Sequence, residues 1–140
     1  TGSARAGSVK SPVFVGGGRI FGPRPKDYTQ KLTKNVKRLA RRSALSAKVQ
    51  NQALVVVEDL NFDAPKTKDF TAVVKSLGLE NKKSIFVLPN TNNNVYLSSR
   101  NVPTSSVVTA SELNTYQLVN ASNVVLTESS VAVLESILTK

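Results

Sequence analysis

The 140-residue chain contains no cysteine and no histidine. Without cysteine there is neither a disulfide framework nor thiolate chemistry, and without histidine the commonest metal ligand and the commonest general base at neutral pH are both missing. These absences argue against an enzyme and against a metal centre. We therefore expect no cofactor, no metal and no small-molecule substrate.

Long apolar runs are absent as well. No segment approaches the roughly 20 apolar residues that a helix needs to cross a bilayer. The N-terminal stretch TGSARAGSVKSP lacks the apolar region of a signal peptide. We expect an intracellular, soluble protein that does not associate with membranes.

Acidic residues are scarce in one part of the chain. Through Gln52 the sequence has twelve Lys or Arg against Asp27 alone, whereas from Ala53 onward seven Lys or Arg face eight Asp or Glu. The net charge of +10 therefore belongs to the N-terminal segment. Repulsion among these positive charges destabilises a compact state unless a counter-charge is present. We therefore expect a polyanionic partner, and nucleic acid is the first candidate.

The first 28 residues hold six of the seven glycines, three prolines and few large apolar residues, in no clear period. This composition is typical of an extended arm rather than of a self-packing element. The stretch GGGRIFGPR fails as a nucleotide loop, since the dinucleotide fingerprint requires glycine where Phe21 stands, and Gly22 is not followed by the Lys of a Walker motif. Two interpretations of this stretch remain: a flexible loop, or a segment whose backbone closely approaches a nucleic acid. We favour the second.

A helix is predicted from Lys34 to about Val49, with Thr33 as N-cap. On a helical wheel, the small and apolar residues form a face that we expect to pack on the core: Val36, Leu39, Ala40, Ser43, Ala44 and Ala47. The opposite arc carries six cations, with Leu45 and Val49 falling among them: Lys34, Lys37, Arg38, Arg41, Arg42 and Lys48. Because no carboxylate in the run offers an i,i+4 salt bridge, phosphate binding is favoured over a merely solvated helix.

Beyond Ala53, short apolar runs alternate with amphipathic segments. The predicted strands are residues 54–57, 85–88, 107–108 and 124–126, and the predicted helices are one capped by Thr67 and stopped by Gly78, one around 95–100, one starting near Ser111 and one over 131–138. Near-continuous apolar strands suit a parallel sheet. The fold class is therefore α/β, with an open, mainly parallel sheet and flanking helices, and three regions: an arm (1–32), a basic helix (33–52) and a globular domain (53–140).

Three further groups of residues are candidates for a site. Glu58, Asp59 and Asp63 follow the first strand, where open sheets bind ligands, but without a second cluster we expect structural roles. The run TNNN, residues 91–94, indicates a turn and a helix start. The aromatic residues of the arm could stack on bases or anchor the arm, and both remain open: Phe14, Phe21 and Tyr28.

The stretch GSVKSPVFVGGGRIFGPRPKDYTQKLTKNVKRLARRSALSAK closely resembles the signature of the bacterial-type large ribosomal subunit protein uL4 family. VVVEDL, KSLGL and NVVLTESSVAVLESIL are similar to that family's α/β domain, so the resemblance covers the whole chain. It implies a structural, non-enzymatic constituent of the large (50S) subunit, cytoplasmic and in the ribosome. The implied partners are the large-subunit (23S) rRNA and neighbouring large-subunit proteins, with a long loop that reaches toward the peptide exit tunnel and a role in subunit assembly.

Carried over by position, the resemblance implies RNA-binding residues in the loop and in the helix. Those in the loop are Arg5, Ser8, Lys10, Gly16, Gly17, Gly18, Arg19, Arg24, Lys26 and Tyr28; those leading into and along the helix are Lys31, Lys34, Lys37, Arg38, Arg41, Arg42 and Lys48. The chain begins inside the family's loop, so a fragment is expected, without the family's first strand, which would complete the sheet. Ser3 stands where the family has a basic residue, which weakens a direct tunnel-wall role but not rRNA anchoring. The rival hypotheses are a small α/β enzyme with a recruiting arm and a sequence-specific DNA-binding protein.

Overall fold

The computed structural model describes residues 7–139, which fall into two compact units divided after Lys31. In the smaller unit, residues 8–18 form a series of turns in which the backbone N–H of Gly18 donates to the carbonyl of Lys10 at 3.0 Å. Within the predicted arm, residues 8–18 therefore fold back on themselves through these turns. Residues 22–31 are free of helix and strand.

The larger unit alternates helices and strands. Its elements are α1 (Lys34–Gln50), β1 (Leu54–Val57), α2 (Thr67–Ser76), β2 (Ser84–Leu88), α3 (Asn93–Ser99), β3 (Ser105–Thr109), α4 (Thr115–Asn120), β4 (Asn123–Thr127) and α5 (Glu128–Thr139). The predicted alternation is confirmed. Among the described residues, no helix is both long and apolar enough to cross a membrane.

The four strands form one open sheet in the order β1-β4-β2-β3, and every pairing is parallel. The prediction of an α/β fold with a parallel sheet is thus confirmed. The two central strands, β4 and β2, are the most buried, whereas the edge strand β1 leaves Val56 half exposed. Strand order was not readable from spacing, since it depends on which helix covers which face.

Alternate residues of the central strands face two separate cores. Ile85 and Val124 belong to a cluster with residues of α4 and α5, whereas Phe86 and Val125 belong to a cluster with residues of α2. In the second cluster, the rings of Phe70 and Phe86 meet edge to face with centroids 5.1 Å apart. The sheet is therefore covered by helices on both faces, as its apolar strands require.

A local signal ends α2, but none starts it. Gly78 has φ +67, and the N–H groups of Gly78 and Leu79 donate to Lys75 and Val74, which completes the predicted stop of α2. Thr67 was predicted as the cap, but it is the first helical residue and Lys66 holds the cap position. Lys66 has no side-chain acceptor, so the start of α2 depends on packing instead.

Two asparagines set the starts of the short helices. Asn92 accepts hydrogen bonds from the N–H groups of Asn94 and Val95, which confirms the helix start predicted within TNNN. Asn114 and Gln117 form a reciprocal capping box at α4, so that helix begins at Thr115, four residues beyond the predicted start near Ser111.

The orientation of α1 differs from the one that the helical wheel predicts. Val36 and Leu39, on the expected packing face, are 49% and 65% exposed. Ala44 and Leu45 pack against the core cluster beneath α4 and α5, although Leu45 lies in the basic arc of the wheel. Val49, the other apolar residue of that arc, stays exposed. The predicted packing face is therefore wrong except for its alanines at positions 40 and 44.

The reason lies in the long basic side chains. Arg38, Arg41 and Lys48 are half buried, on the side of the helix that meets the rest of the unit. The aliphatic stems of Lys and Arg can cover apolar surface while their charged ends reach water or a carbonyl. A wheel that treats every cation as solvent-facing misses this arrangement.

Candidate nucleic-acid interface

Four cations of α1 converge on one groove of the larger unit. They are Lys34, Lys37, Arg38 and Arg41. Lys34 and Arg41 each lie three and four residues from both Lys37 and Arg38, so each is their neighbour on the helix surface. Ser111, after β3, and Ile137, in α5, complete the groove, which has a volume of about 390 Å³. None of these six lining residues is acidic. We call this feature the cationic groove, and its positive charge favours an anion such as a phosphate group.

The start of α1 adds to this positive potential. Thr33 makes no side-chain hydrogen bond to the first turn, and that turn contains no acidic residue. The first N–H groups of a helix point outward and carry the positive end of its dipole, so they favour an anion. Lys34, the first helical residue, lies both in this turn and in the cationic groove.

Two other predicted cations have structural contacts instead. The guanidinium of Arg42 donates to the carbonyl oxygen of Leu138 near the end of α5, and Nζ of Lys48 donates to the carbonyl of Ala121, just after α4, at 2.5 Å. A cation at a helix C-terminus satisfies unpaired carbonyls and complements the dipole. These contacts hold α1 against α4 and α5, so the structure divides the basic helix into groove residues and positioning residues.

Within the described residues, the predicted RNA-binding cations form no ion pair with a carboxylate. Within residues 7–139, Lys75 and Glu80 form the single ion pair, at 3.9 Å, and neither belongs to the predicted set. In the smaller unit, Nζ of Lys26 lies 5.5 Å from the ring centroid of Tyr28, a cation–π contact. The positive charge is thus not neutralised internally by carboxylates in the part of the chain that the structure describes.

The loop residues lie on and after the turns of the smaller unit. Ser8 accepts a hydrogen bond from the N–H of Lys10 at 3.2 Å, so its hydroxyl helps to form the turn. Gly16 has φ +81, and a Cβ on Gly17 would lie 2.0 Å from the carbonyl oxygen of Ser11. These glycines therefore permit the turn itself, while Gly18 donates its N–H to close it.

The remaining loop residues are exposed. The cations among them are Lys10, Arg19, Arg24, Lys26 and Lys31, and Arg5 lies outside the described residues. The rings of Phe21 and Tyr28 are 98% and 80% exposed. Hydrogen bonds from the hydroxyl and then the N–H of Thr29 hold the pKa of Asp27 below its ordinary value. Asp27 therefore stays ionised among the cations of this segment.

The acidic residues after β1 do not form a metal site. No group of three metal-ligating side chains occurs within residues 7–139. Asp59 accepts a hydrogen bond at 2.6 Å from the hydroxyl of Ser129, in the first turn of α5. Because a carboxylate at a helix start stabilises it, Asp59 has a structural contact there.

All four cations of the groove were predicted from the sequence, but the two residues that complete it were not. Ser111 and Ile137 carry no charge and no motif, and they lie 70 or more residues beyond Arg41, the last of the four cations. No local signal could have identified them, because only the packing of α1 on α4 and α5 brings them together.

Comparison with known proteins gives one consistent family. The model of the ribosomal protein L4/L1 family matches residues 1–137. Proteins named large ribosomal subunit protein uL4 from Christiangramia forsetii and Flavobacterium johnsoniae are 60% and 59% identical to this chain over 136 and 140 residues. These alignments cover 97% and 100% of this chain and 65% and 67% of the relatives, so the chain spans about two thirds of their length.

Proposed function

Because the chain belongs to the ribosomal protein L4/L1 family, we propose that it is a structural constituent of the large (50S) ribosomal subunit that binds large-subunit (23S) rRNA. The family is structural and non-enzymatic. Its relatives carry the name of a large-subunit protein, which supports this location for the whole polypeptide, in the cytoplasm as part of the ribosome. The proposal includes contacts with neighbouring large-subunit proteins and support of subunit assembly and translation.

The observation that carries the proposal is the cationic groove. Four cations line it without a carboxylate, and the N-terminal dipole of α1 ends at the same place. Arginine can hold a phosphate through two parallel hydrogen bonds, whereas lysine acts as a point charge. A phosphate of the rRNA backbone seated there would neutralise the repulsion among Lys34, Lys37, Arg38 and Arg41. We therefore assign the groove to backbone contacts that position the protein and carry no sequence information.

The arm, residues 1–32, would enter the rRNA and extend toward the peptide exit tunnel. Its cations are exposed, and the rings of Phe21 and Tyr28 are available for stacking on unpaired bases. In this division, the basic helix (33–52) joins the arm to the α/β domain (53–140). Arg42 and Lys48 would contribute by fixing α1 rather than by holding phosphates.

The salt dependence of rRNA binding tests the proposal. If about eight cations contact phosphates, the slope of log K against log[salt] is expected to be about −6 to −7. Replacing Lys34, Lys37, Arg38 and Arg41 by Gln is expected to make the slope shallower by about 3, since four counterion-releasing contacts are lost. The slope is measured by titrating rRNA fragments at several salt concentrations.

The matched control removes four cations outside the groove, with Lys66, Lys68, Lys82 and Lys83 replaced by Gln. This variant has the same net charge as the groove variant, so it isolates position from overall charge. A slope shallower than about −2 for the parent chain would contradict phosphate binding. An equal change of slope in the two variants would contradict phosphate binding in the groove. If the protein recovered from cells carried scattered mRNA or DNA fragments, the rRNA assignment would be contradicted.

A further inference from the structure

A polar cleft opens at the carboxyl end of the sheet, on residues that the rRNA proposal does not use. It has a volume of about 450 Å³ and is lined by the segments that follow β1 and β2 and by the last residue of β4, Thr127. The cleft shares no lining residue with the cationic groove. In open α/β sheets, the crevice outside the carboxyl ends of the strands is the usual ligand site, and ligand pockets typically span roughly 300 to 1,000 Å³.

The amide side chains of the cleft are of two kinds. Asn92 and Asn94 are engaged, because their side-chain N–H groups donate to the backbone carbonyls of Leu60 and Phe62 and thereby fix the loop after β1. The side chains of Asn61, Asn90 and Asn93 make no hydrogen bond within the described residues, although all three line the cleft. A rigid frame therefore presents three amides, each with donors and an acceptor available for a ligand.

A second, more apolar cavity of about 350 Å³ adjoins the cleft and shares Leu88, Thr91, Asn92 and Asn93 with it. Its lining includes Tyr96, which is 52% exposed, and Val107 of β3. An exposed aromatic ring beside an apolar strand residue is a surface on which a planar heterocycle can stack. The amides and the stacking surface thus meet along one continuous wall.

The charge of both cavities excludes phosphate as the recognised group. Neither lining contains Lys or Arg, while Asp59 lies in the larger cavity and Glu112 in the smaller. An unpaired base is a neutral planar ring with hydrogen-bond donors and acceptors on its edge. The hydroxyls of a ribose can donate hydrogen bonds to a carboxylate. We propose that this cleft binds an unpaired ribonucleoside, its base stacked on Tyr96 and its edge bonded to the asparagine amides, with any phosphates outside in solvent.

Free nucleosides are the probe that separates this site from the cationic surfaces, because they carry no phosphate. The complete chain is titrated with adenosine, guanosine, cytidine and uridine at high salt, and binding is followed by amide chemical shifts. We expect saturable, salt-insensitive shifts confined to residues 59–61, 88–96 and 107–112 for at least one nucleoside. The replacement Tyr96→Ala is expected to weaken binding about 5- to 100-fold, the range for loss of one stacked base.

Tyr116→Ala is the matched control, because Tyr116 is also exposed but lies outside both cavities. Asn93→Ala tests the amide contribution separately, and an unchanged amide spectrum elsewhere shows that each variant folds. A short unpaired oligoribonucleotide that binds more tightly than its nucleoside identifies RNA as the source of the ligand. An oligonucleotide that is excluded while the nucleoside binds identifies the free nucleoside.

The proposal is overturned if no nucleoside gives saturable shifts in the cleft, or if Tyr96→Ala and Tyr116→Ala have equal effects. These outcomes leave the rRNA proposal intact, since that proposal predicts steep salt dependence and a loss of binding in the groove variant. Conversely, a failure of the groove variant to weaken rRNA binding would leave nucleoside binding at high salt unaffected.

Discussion

At the scale of single residues, Gly17 determines whether the turns of the smaller unit can close. A side chain there would start 2.0 Å from the carbonyl oxygen of Ser11, which is backbone and cannot move aside cheaply. The N–H of Gly17 also donates to the carbonyl of Phe14 at 3.0 Å, so the residue is fixed on both sides. The glycines that looked like a nucleotide loop in the sequence therefore serve a close backbone approach.

We predict that Gly17→Ala opens the turns over residues 8–18, because the added Cβ cannot be accommodated. The amide protons of Gly17 and Gly18 should then exchange faster with solvent, while the urea midpoint of the larger unit stays unchanged. Gly7→Ala is the control, since a Cβ at that position meets open space. Equal exchange rates in the two variants would contradict the tight approach of Gly17 to Ser11.

At the scale of elements, α1 shows how a basic helix can pack with some of its cations on the side that meets the rest of the unit. Ala44 and Leu45 contact the core, and Arg42 and Lys48 bind carbonyls at the ends of α5 and α4. The helix then leaves Leu39 exposed. The terminal carbonyls provide hydrogen-bond acceptors for two of these cations, and the sequence alone does not reveal them.

Leucine replacements test this orientation. We expect Leu45→Ala to lower the free energy of unfolding by about 1 to 3 kcal/mol, because it removes apolar contacts with the core. Leu39→Ala should change it by less than about 0.5 kcal/mol, as is usual for an exposed side chain. Urea unfolding measures both values. If Leu39→Ala lowered the free energy of unfolding more than Leu45→Ala, the packing face predicted by the helical wheel would be supported instead.

At the scale of the whole molecule, charge and core lie in different parts of the chain. The twelve Lys or Arg through Gln52 face a single acidic residue, whereas the apolar clusters come almost entirely from residues beyond Ala53. The protein without its partner therefore carries unbalanced repulsion on its N-terminal side. An external polyanion is the counter-charge that this arrangement requires.

We predict that added NaCl stabilises the chain in the absence of RNA. Since salt screens repulsion between exposed charges, the free energy of unfolding should rise by about 1 kcal/mol or less as NaCl increases from about 50 to 500 mM. Urea is the suitable denaturant because it is uncharged. The variant with four groove cations replaced by Gln should respond less than the parent, and a stability that falls with salt would contradict the prediction.

Much of the larger unit was predictable from local pattern. The strand over Leu54–Val57 has the predicted bounds, and Gly78 ends α2 as expected, because an apolar run and a left-handed glycine each act within a few residues. The start of α4 was misplaced, since the capping box of Asn114 and Gln117 outweighs the apolar residue before it. Errors of this kind arise where neighbouring sequence signals favour different starts for the same helix.

The candidate site was predictable in its charges but not in its shape. Lys34, Lys37, Arg38 and Arg41 were identified from spacing and from the lack of carboxylates around them. Arg42 and Lys48 could not be distinguished from these four in the sequence, because their hydrogen-bond partners are backbone carbonyls far along the chain. Main-chain acceptors have no sequence signature.

The sequence by itself determined the α/β alternation, the parallel character of the sheet and the concentration of positive charge before Ala53. These properties follow from composition and from periodicity, which act over a few residues. Tertiary structure alone decided the strand order, the orientation of α1, and the position of Asn93 beside Asn61 in the cleft and beside Tyr96 in the adjoining cavity. The physical reason is that each depends on which surfaces meet across long separations in the chain, where burial of apolar area and satisfaction of distant carbonyls outweigh local preference.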